Sequence, residues 1–570
     1  MHYWKALFFL RSRLTINKPT HLALDELTEA LGCTRRNAQL VIKKLVKEGW
    51  IEWESGVGRG NLPKVALLQN LDGILQKRTD ELLSQHKVEQ ALELIEPNKR
   101  DLFLLGYIGR YQDSPDTLDI LQIPFYRGTH CLDPIHISRR TESHIASYLY
   151  SNLLRFDTKS NTFQGDLAIH WYQQGNTWYF TLRKDLVFHD GSPLNSHDVI
   201  KHFERLINED HQMSLQYHCI SQFNIIDDLR FSIEMKSTAS YLETLLTGTS
   251  SGIAKVADGK VIGSGSFELS EQNEWLTRLT VFKHYHGLRP WIDGVEMWNI
   301  GDQAKSFDLH CDIVHAHQHY QKSEDRNFQE SEQWEKGCEY ALLNPNKQAW
   351  LGSLNNRQQL SVLLQLLGTP KSISTDEIGL ATSMLSSPEG QPSTVNNSQK
   401  IYQFSRNLEK PKHTIKILTY QLFDHIKMAK FYCEELNKLG FHSEYQVLEF
   451  PDFCLEENLT QADIIITGEV FSDNLDSSWM GWLQANITLE VCLPTELKAW
   501  RDQQIENLWK LKDPTLRQQA FLEIEAQLIN FGIYRPIFHV KQQLNQADTV
   551  NPMDLLANGW IDFNQVTMRR

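Results

Sequence analysis

The sequence predicts a multidomain chain, with a small helical head carrying a short β wing ahead of a large α/β body. Three observations lead there. At 570 residues the chain exceeds the size at which one hydrophobic core usually stops growing. Helical periodicity fills residues 1–48, and a strand, glycine-rich turn and strand follow at 50–67. From Leu118 onward, short strands alternate with helices.

Within the head, Tyr3, Leu7, Leu10 and Leu14 line one side of a first helix. Leu24, Leu27 and Leu31 share a face of a second, which Gly32 ends. Thr34 has the side chain to cap a third helix running to Glu48, with Ala38, Val41, Ile42, Leu45 and Val46 as its buried stripe. Thr34, Arg35, Arg36, Asn37, Gln39, Lys43, Lys44 and Lys47 take the opposite side. Two helices and a turn, the second helix basic and amide-bearing outside, form a helix-turn-helix: arginine reads guanine, Asn or Gln reads adenine, and lysines sit against phosphates. Trp50–Trp53 and Leu62–Leu67 flank Gly56, Gly58 and Gly60 as a wing, with Arg59 at its tip and Lys64 on the return. The glycines are not a nucleotide loop, because no Gly-Lys-Ser/Thr follows and a strand, not a helix, comes next. Residues 1–70 therefore read as a winged helix-turn-helix whose partner is double-stranded DNA.

Residues 71–117 read as a helical connector, ending in the turn-rich Arg110-Tyr-Gln-Asp-Ser-Pro-Asp116, and fit either transmission of a ligand signal or pairing into a homodimer. The body spans 118–570. Its most informative stretch is 178–206. Trp178, Phe180 and Leu182 alternate with polar residues as a half-buried strand, and Asp190-Gly191 supplies a turn. Ser196 is expected to cap a helix buried through Val199, Phe203, Leu206 and Ile207.

This block resembles the signature of the family 5 extracellular solute-binding proteins, oligopeptide-binding type, with Asp185 in place of a glycine and Ser196 in place of an alanine. Further landmarks resembling that family are Asp133-Pro134, a helix over 142–154, Gly263-Ser-Gly-Ser-Phe267, Trp291–Met297, Leu354-Asn-Asn-Arg357, a strand–helix–strand unit over 414–448, and Trp560-Ile-Asp-Phe563. The resemblance implies a periplasmic-binding-protein-like body of type II, two α/β lobes closing over a solute. Head and body together resemble the SgrR family of regulators, through Cys33-Thr-Arg-Arg36, Gly49-Trp50, Val57-Gly-Arg-Gly60, Arg139–Ala146 and Gly559–Phe563. That resemblance implies a transcription factor of the sugar-phosphate stress response with a small intracellular effector, a sugar phosphate foremost.

Composition bounds the rest. No apolar run approaches the roughly 18 residues of a membrane span. Ala6–Leu10 is too short for a signal peptide and is followed by Arg11 and Arg13, so a cytoplasmic location is expected. The eight cysteines are scattered without a C-x-x-C pair and read as reduced thiols. Residues 1–70 carry eleven Lys/Arg against six Asp/Glu, so of the net −14 the remaining 500 residues hold −19, and any attraction for nucleic acid is confined to the head.

Three constellations compete for a chemical role. His315, His317 and His319 alternate beside Cys311, but rings roughly 7 Å apart along a strand suit one tetrahedral ion poorly. The segment reads as a lobe connection, and no metal or other cofactor is expected. Gly248-Thr-Ser-Ser-Gly252 matches a hydrolase pattern, yet a helix precedes it and a strand follows, the reverse of a nucleophile elbow. Arg139 and Arg140, at a helix start beside Thr141, Ser143 and His144, can hold phosphate, and Trp560 can stack on a sugar; Arg139, Arg140, His144 and Trp560 are the ligand candidates. The expected function is ligand-responsive DNA binding without catalysis. The rival is a solute- or peptide-binding protein whose winged helix is a protein-interaction module.

Overall fold

A computed structural model describes residues 2–56, 62–84, 88–96, 99–100, 118–125, 127–137, 139–209, 211, 213–237, 241–299, 311–315, 327–373, 377–386 and 398–569. The described chain separates into two compact units, one running to Arg100 and including Asn299, the other comprising the remaining residues from Leu118 onward. Arg59, His310, His317 and His319 lie outside the described residues, as does the turn-rich 110–116 segment.

In the head, α1 (His2–Arg13), α2 (Leu24–Leu31) and α3 (Arg35–Lys47) enclose Leu7, Leu10, Leu27, Leu31, Ala38, Val41, Ile42 and Leu45. Gly32 ends α2 at φ +57°, the left-handed conformation that costs glycine nothing. A three-stranded antiparallel sheet closes the unit in the order β1 (Thr20–His21), β3 (Lys64–Leu67), β2 (Ile51–Glu54). The wing is therefore anchored by a two-residue strand too short to show any period. The connector expected over 71–117 contributes α4 (Asp72–Ser84) and α5 (Val88–Leu92), and Leu71, Leu75, Leu82, Ala91 and Leu94 enter the same core as α1. Ion pairs Lys5–Glu93 (2.6 Å) and Arg11–Glu96 (3.4 Å) tie α1 to the segment that follows α5, and Arg11 also pairs with Asp72. Where described, these helices belong to the head.

The first lobe of the body holds two four-stranded sheets, the first of them antiparallel throughout. In the first, Trp178, Phe180 and Leu182 face inward against Val199, Phe203 and Leu206 of the Ser196–Asn208 helix. Asp185 takes φ +58°, the left-handed region that glycine enters at no steric cost. The helix cap is Asn195 rather than Ser196: the Asn195 side chain accepts from the His197 N–H at 2.9 Å, while the Asp198 carboxylate accepts from the Asn195 N–H at 3.0 Å. Ser196 is already helical and fully buried, donating to the Asp227 carbonyl at 2.5 Å. The expected 142–154 helix runs from Arg140 to Leu149, and the Gly263–Phe267 turn crosses its end. A Cβ at Gly265 would lie 2.1 Å from the Tyr148 carbonyl oxygen, so only glycine fits.

In the second lobe, strand Ile415–Tyr420 is parallel to both Ser443–Leu448 and Ile464–Val470, joined through the Phe423–Lys438 helix. Gly337–Leu343 and Tyr534–Ala547 extend the sheet antiparallel. Tyr340, Leu342 and Ile465 enter one core; Ala341, Leu343, Ile464 and Ile466 enter the other. This is the side-chain alternation of a sheet covered on both faces. The 14-residue strand Tyr534–Ala547 serves both lobes: its start pairs with 339–342, its end with 328–334 and 313–315. Strands Phe328–Trp334 and Gly337–Leu343 cross the same boundary, with Glu335 and Lys336 between them.

Candidate DNA-reading helix and solute cleft

The reading helix is set by its buried face. Ala38 and Leu45 are fully buried, Val41 and Ile42 nearly so, and the Thr34 hydroxyl accepts from the Asn37 N–H at 3.4 Å to start α3. At 100° per residue, the line opposite is Arg36, Leu40, Lys43 and Lys47, all exposed, with Gln39 exposed at its edge and Asn37 half-buried. Two expected contacts are already engaged within the head. Arg35 forks onto Asp25 of α2, Nε to Oδ1 at 2.9 Å and Nη2 to Oδ2 at 3.0 Å. Lys44 lies 4.5 Å over the Tyr3 ring and 3.9 Å from Glu48. Val46, assigned to the buried stripe, is 42% exposed, because it stands a quarter turn off the core line. Lys64 is exposed on β3, opposite His21 and Glu54.

In the body the lobes close on one another. Asn474 donates to the Thr247 hydroxyl at 2.9 Å, and Tyr241 stacks on Trp509 with centroids 4.5 Å apart. Arg139 and Arg140, from the first lobe, reach the boundary with the second. The Arg139 guanidinium sits 4.0 Å over the Phe450 ring, and Arg140 Nη1 donates to Glu335 Oε1 at 2.6 Å. Around them stand residues that sequence spacing could not assemble: Glu339, hydrogen-bonded to His425, and Glu469, which accepts from Asn486 Nδ2 at 3.0 Å. Glu339 lies opposite Gly468 on the neighbouring strand, where any Cβ would collide with its carboxylate. Burial pushes the Glu469 carboxyl up to about 7, with the Glu339 charge adding to the effect. Burial also raises the Glu335 carboxyl, against the pull of Arg140.

His144 and Trp560 are corrected from cleft to core. They are 3% and 2% exposed and stack on each other at 5.1 Å and 19°, with Tyr148 and Phe563 packed edge-on to His144. Enclosure among these rings pushes the imidazole down to about 3, so His144 stays neutral. His315 belongs to the same cluster, edge-on to Trp560 at 4.5 Å. Among the described residues no group of three His, Cys, Asp or Glu is arranged to hold a metal ion. In the Gly248–Gly252 segment, a 3-10 turn aims Ser250 and Ser251 at the Tyr217 hydroxyl, 2.9 and 2.8 Å away, and no strand-to-helix elbow forms.

Comparisons with known proteins agree with both units. Residues 5–106 match the family described as sugar transport-related sRNA regulator, N-terminal; residues 162–366 match the bacterial extracellular solute-binding proteins, family 5. The HTH-type transcriptional regulator SgrR of Photorhabdus laumondii is 24% identical over 556 residues, covering 96% of this chain and 95% of that protein. YhjP of Bacillus subtilis, named only as uncharacterized, is 24% identical over 569 residues, covering 96% of each. Among solved structures, the oligopeptide-binding protein AppA of Bacillus subtilis, in complex with a nonapeptide, aligns with a TM-score of 0.63 at 15% identity, over 79% of this chain and 99% of that one. A dipeptide-binding protein from Pseudoalteromonas, in complex with Met-Leu, aligns at 0.64 and 16%, over 79% and 100%. Those likenesses concern the fold. The chain therefore joins an SgrR-type N-terminal domain to a family 5 solute-binding domain and is similar from end to end to regulators of the SgrR family.

Proposed function

We propose that the chain is a transcriptional regulator that reads duplex DNA through α3 and the wing and responds to a solute enclosed between the lobes of its body. The observation that carries this reading is the outward line of Arg36, Lys43 and Lys47, edged by Gln39, on a helix held by a complete buried face. Arg36 and Gln39 suit base edges; Lys43, Lys47, Lys64 and Arg59 suit phosphates. Thr34 and Arg35 act as positioning groups, the first as a helix cap and the second as a fork to Asp25. The site of action is the cytoplasm, where duplex DNA is found. Among the described residues no helix is long and apolar enough to cross a membrane.

For the effector, a sugar phosphate is supported by the sugar-transport description of the N-terminal family and by Arg139 and Arg140 at the lobe boundary. Its phosphate would have to replace Glu335 at Arg140, so binding exchanges one anion for another at a single guanidinium. The likeness to peptide-holding proteins favours a second reading, a solute- or peptide-binding protein whose head contacts protein. Selection of duplexes from a randomised pool by the full-length protein separates the two. A regulator enriches one sequence, bound with a steep salt dependence that Arg36→Ala with Lys43→Ala makes shallower. No enrichment, together with tight peptide binding, supports the second.

A further inference from the structure

Leu40 has no work in the fold. It is 58% exposed, while Ala38, Val41, Ile42 and Leu45 complete the buried face of α3 without it. Its position is central. One turn before it stands Arg36, one turn after it Lys43, and Lys47 follows two turns on, so a branched apolar side chain sits in the middle of a cationic line. A face meant only for water needs no leucine there, since Lys, Gln or Glu have similar helix propensity. A face meant for the major groove has a use for one. The 5-methyl of thymine is the apolar group displayed on a base edge there, and flanking cations direct a phosphate-lined groove onto this helix.

We propose that Leu40 reads a thymine by packing on its methyl group, with Arg36 and Lys43 engaging the sites on either side. This rests on the reading of α3 as a DNA-contacting helix. Both ideas can be separated in one series. The duplex enriched by the full-length protein is remade with each thymine replaced in turn by deoxyuridine, which removes the methyl and keeps the base pair. Losing one buried methyl predicts a roughly three- to fivefold weaker complex at one position per bound head. In Leu40→Ala and Leu40→Gln that position shows equal affinity for thymine and uracil, while the salt slope set by the lysines is retained. If uracil weakens binding nowhere, or does so equally in the Leu40 variants, Leu40 does not read the methyl and its exposure serves another surface. If no duplex is enriched at all, the DNA-binding reading falls, and this assignment with it.

Discussion

Glu469→Gln is expected to stabilise the body at alkaline pH and to do little at acidic pH. The wild-type carboxyl is buried beside Glu339, and its proton is held to about pH 7 instead of the ordinary 4.5. The raised value fixes the sign. Stability from the protonated, buried carboxyl is fully present below pH 4.5 and is lost as pH climbs through about 7. At 1.36 kcal/mol per tenfold change in proton affinity, the full loss is about 3 kcal/mol, of which about 2 falls between pH 5 and pH 8. Glutamine keeps a carbonyl to accept from Asn486 and removes the titration. The assay is urea unfolding of both proteins from pH 5 to pH 8, following the transition of the body, since a chain of two units need not unfold in one step. The wild-type midpoint should fall relative to the variant as pH rises. Parallel curves across that range would mean that Glu469 is already hydrated or ionised, and would refute the argument.

Further outcomes follow from other contacts of the body. Arg140→Ala strands Glu335, whose side chain is 4% exposed, and should cost about 3 kcal/mol by the same unfolding assay; adding Glu335→Gln should restore most of it. Glu335→Gln removes the carboxylate charge that competes for Arg140, so in a thermal-shift series it should strengthen the response to sugar phosphates and leave that to neutral sugars unchanged; an equal response to both would count against phosphate at Arg140. Gly265→Ala forces a Cβ to within 2.1 Å of the Tyr148 carbonyl and should cost at least about 2 kcal/mol, whereas Asp185→Gly, relieving a side chain at φ +58°, should gain up to about 1 kcal/mol in the same measurement.

The elements of the head were legible because each announces itself locally. The leucines of α1 and α2 keep helical spacing, Thr34 marks the start of α3, and Gly32 marks the end of α2. The strand at Thr20–His21 was not, since two residues carry no period. Nor did spacing distinguish a connector from a continuation of the head, because the partners of Leu75 and Leu82 lie on helices far earlier in the chain. At the Ser196–Asn208 helix, two adjacent residues could both cap, and burial of Ser196 against the Asp227 carbonyl decided for Asn195. The lobe boundary was the least legible part. Glu335, Glu339, His425, Phe450 and Glu469 are separated by up to 134 positions and meet only through the crossing strands. A local signal was present nonetheless: Glu339 and Glu469 are lone charges in otherwise apolar strand runs, which ordinary packing does not ask for. His144 and Trp560 looked like ligand groups for want of a third dimension, and each turned out to be the other's packing partner.

The central claim is that solute binding in the body and DNA binding by the head share one free energy. Its most direct test is the affinity of the full-length protein for the best solute from a thermal-shift screen, measured with and without saturating enriched duplex. Linkage requires that DNA change solute affinity by the same factor as solute changes DNA affinity, and a coupling of 1–3 kcal/mol corresponds to roughly 5- to 150-fold. The account predicts equal factors in that range in both directions. A solute affinity that is the same with and without the duplex would contradict it.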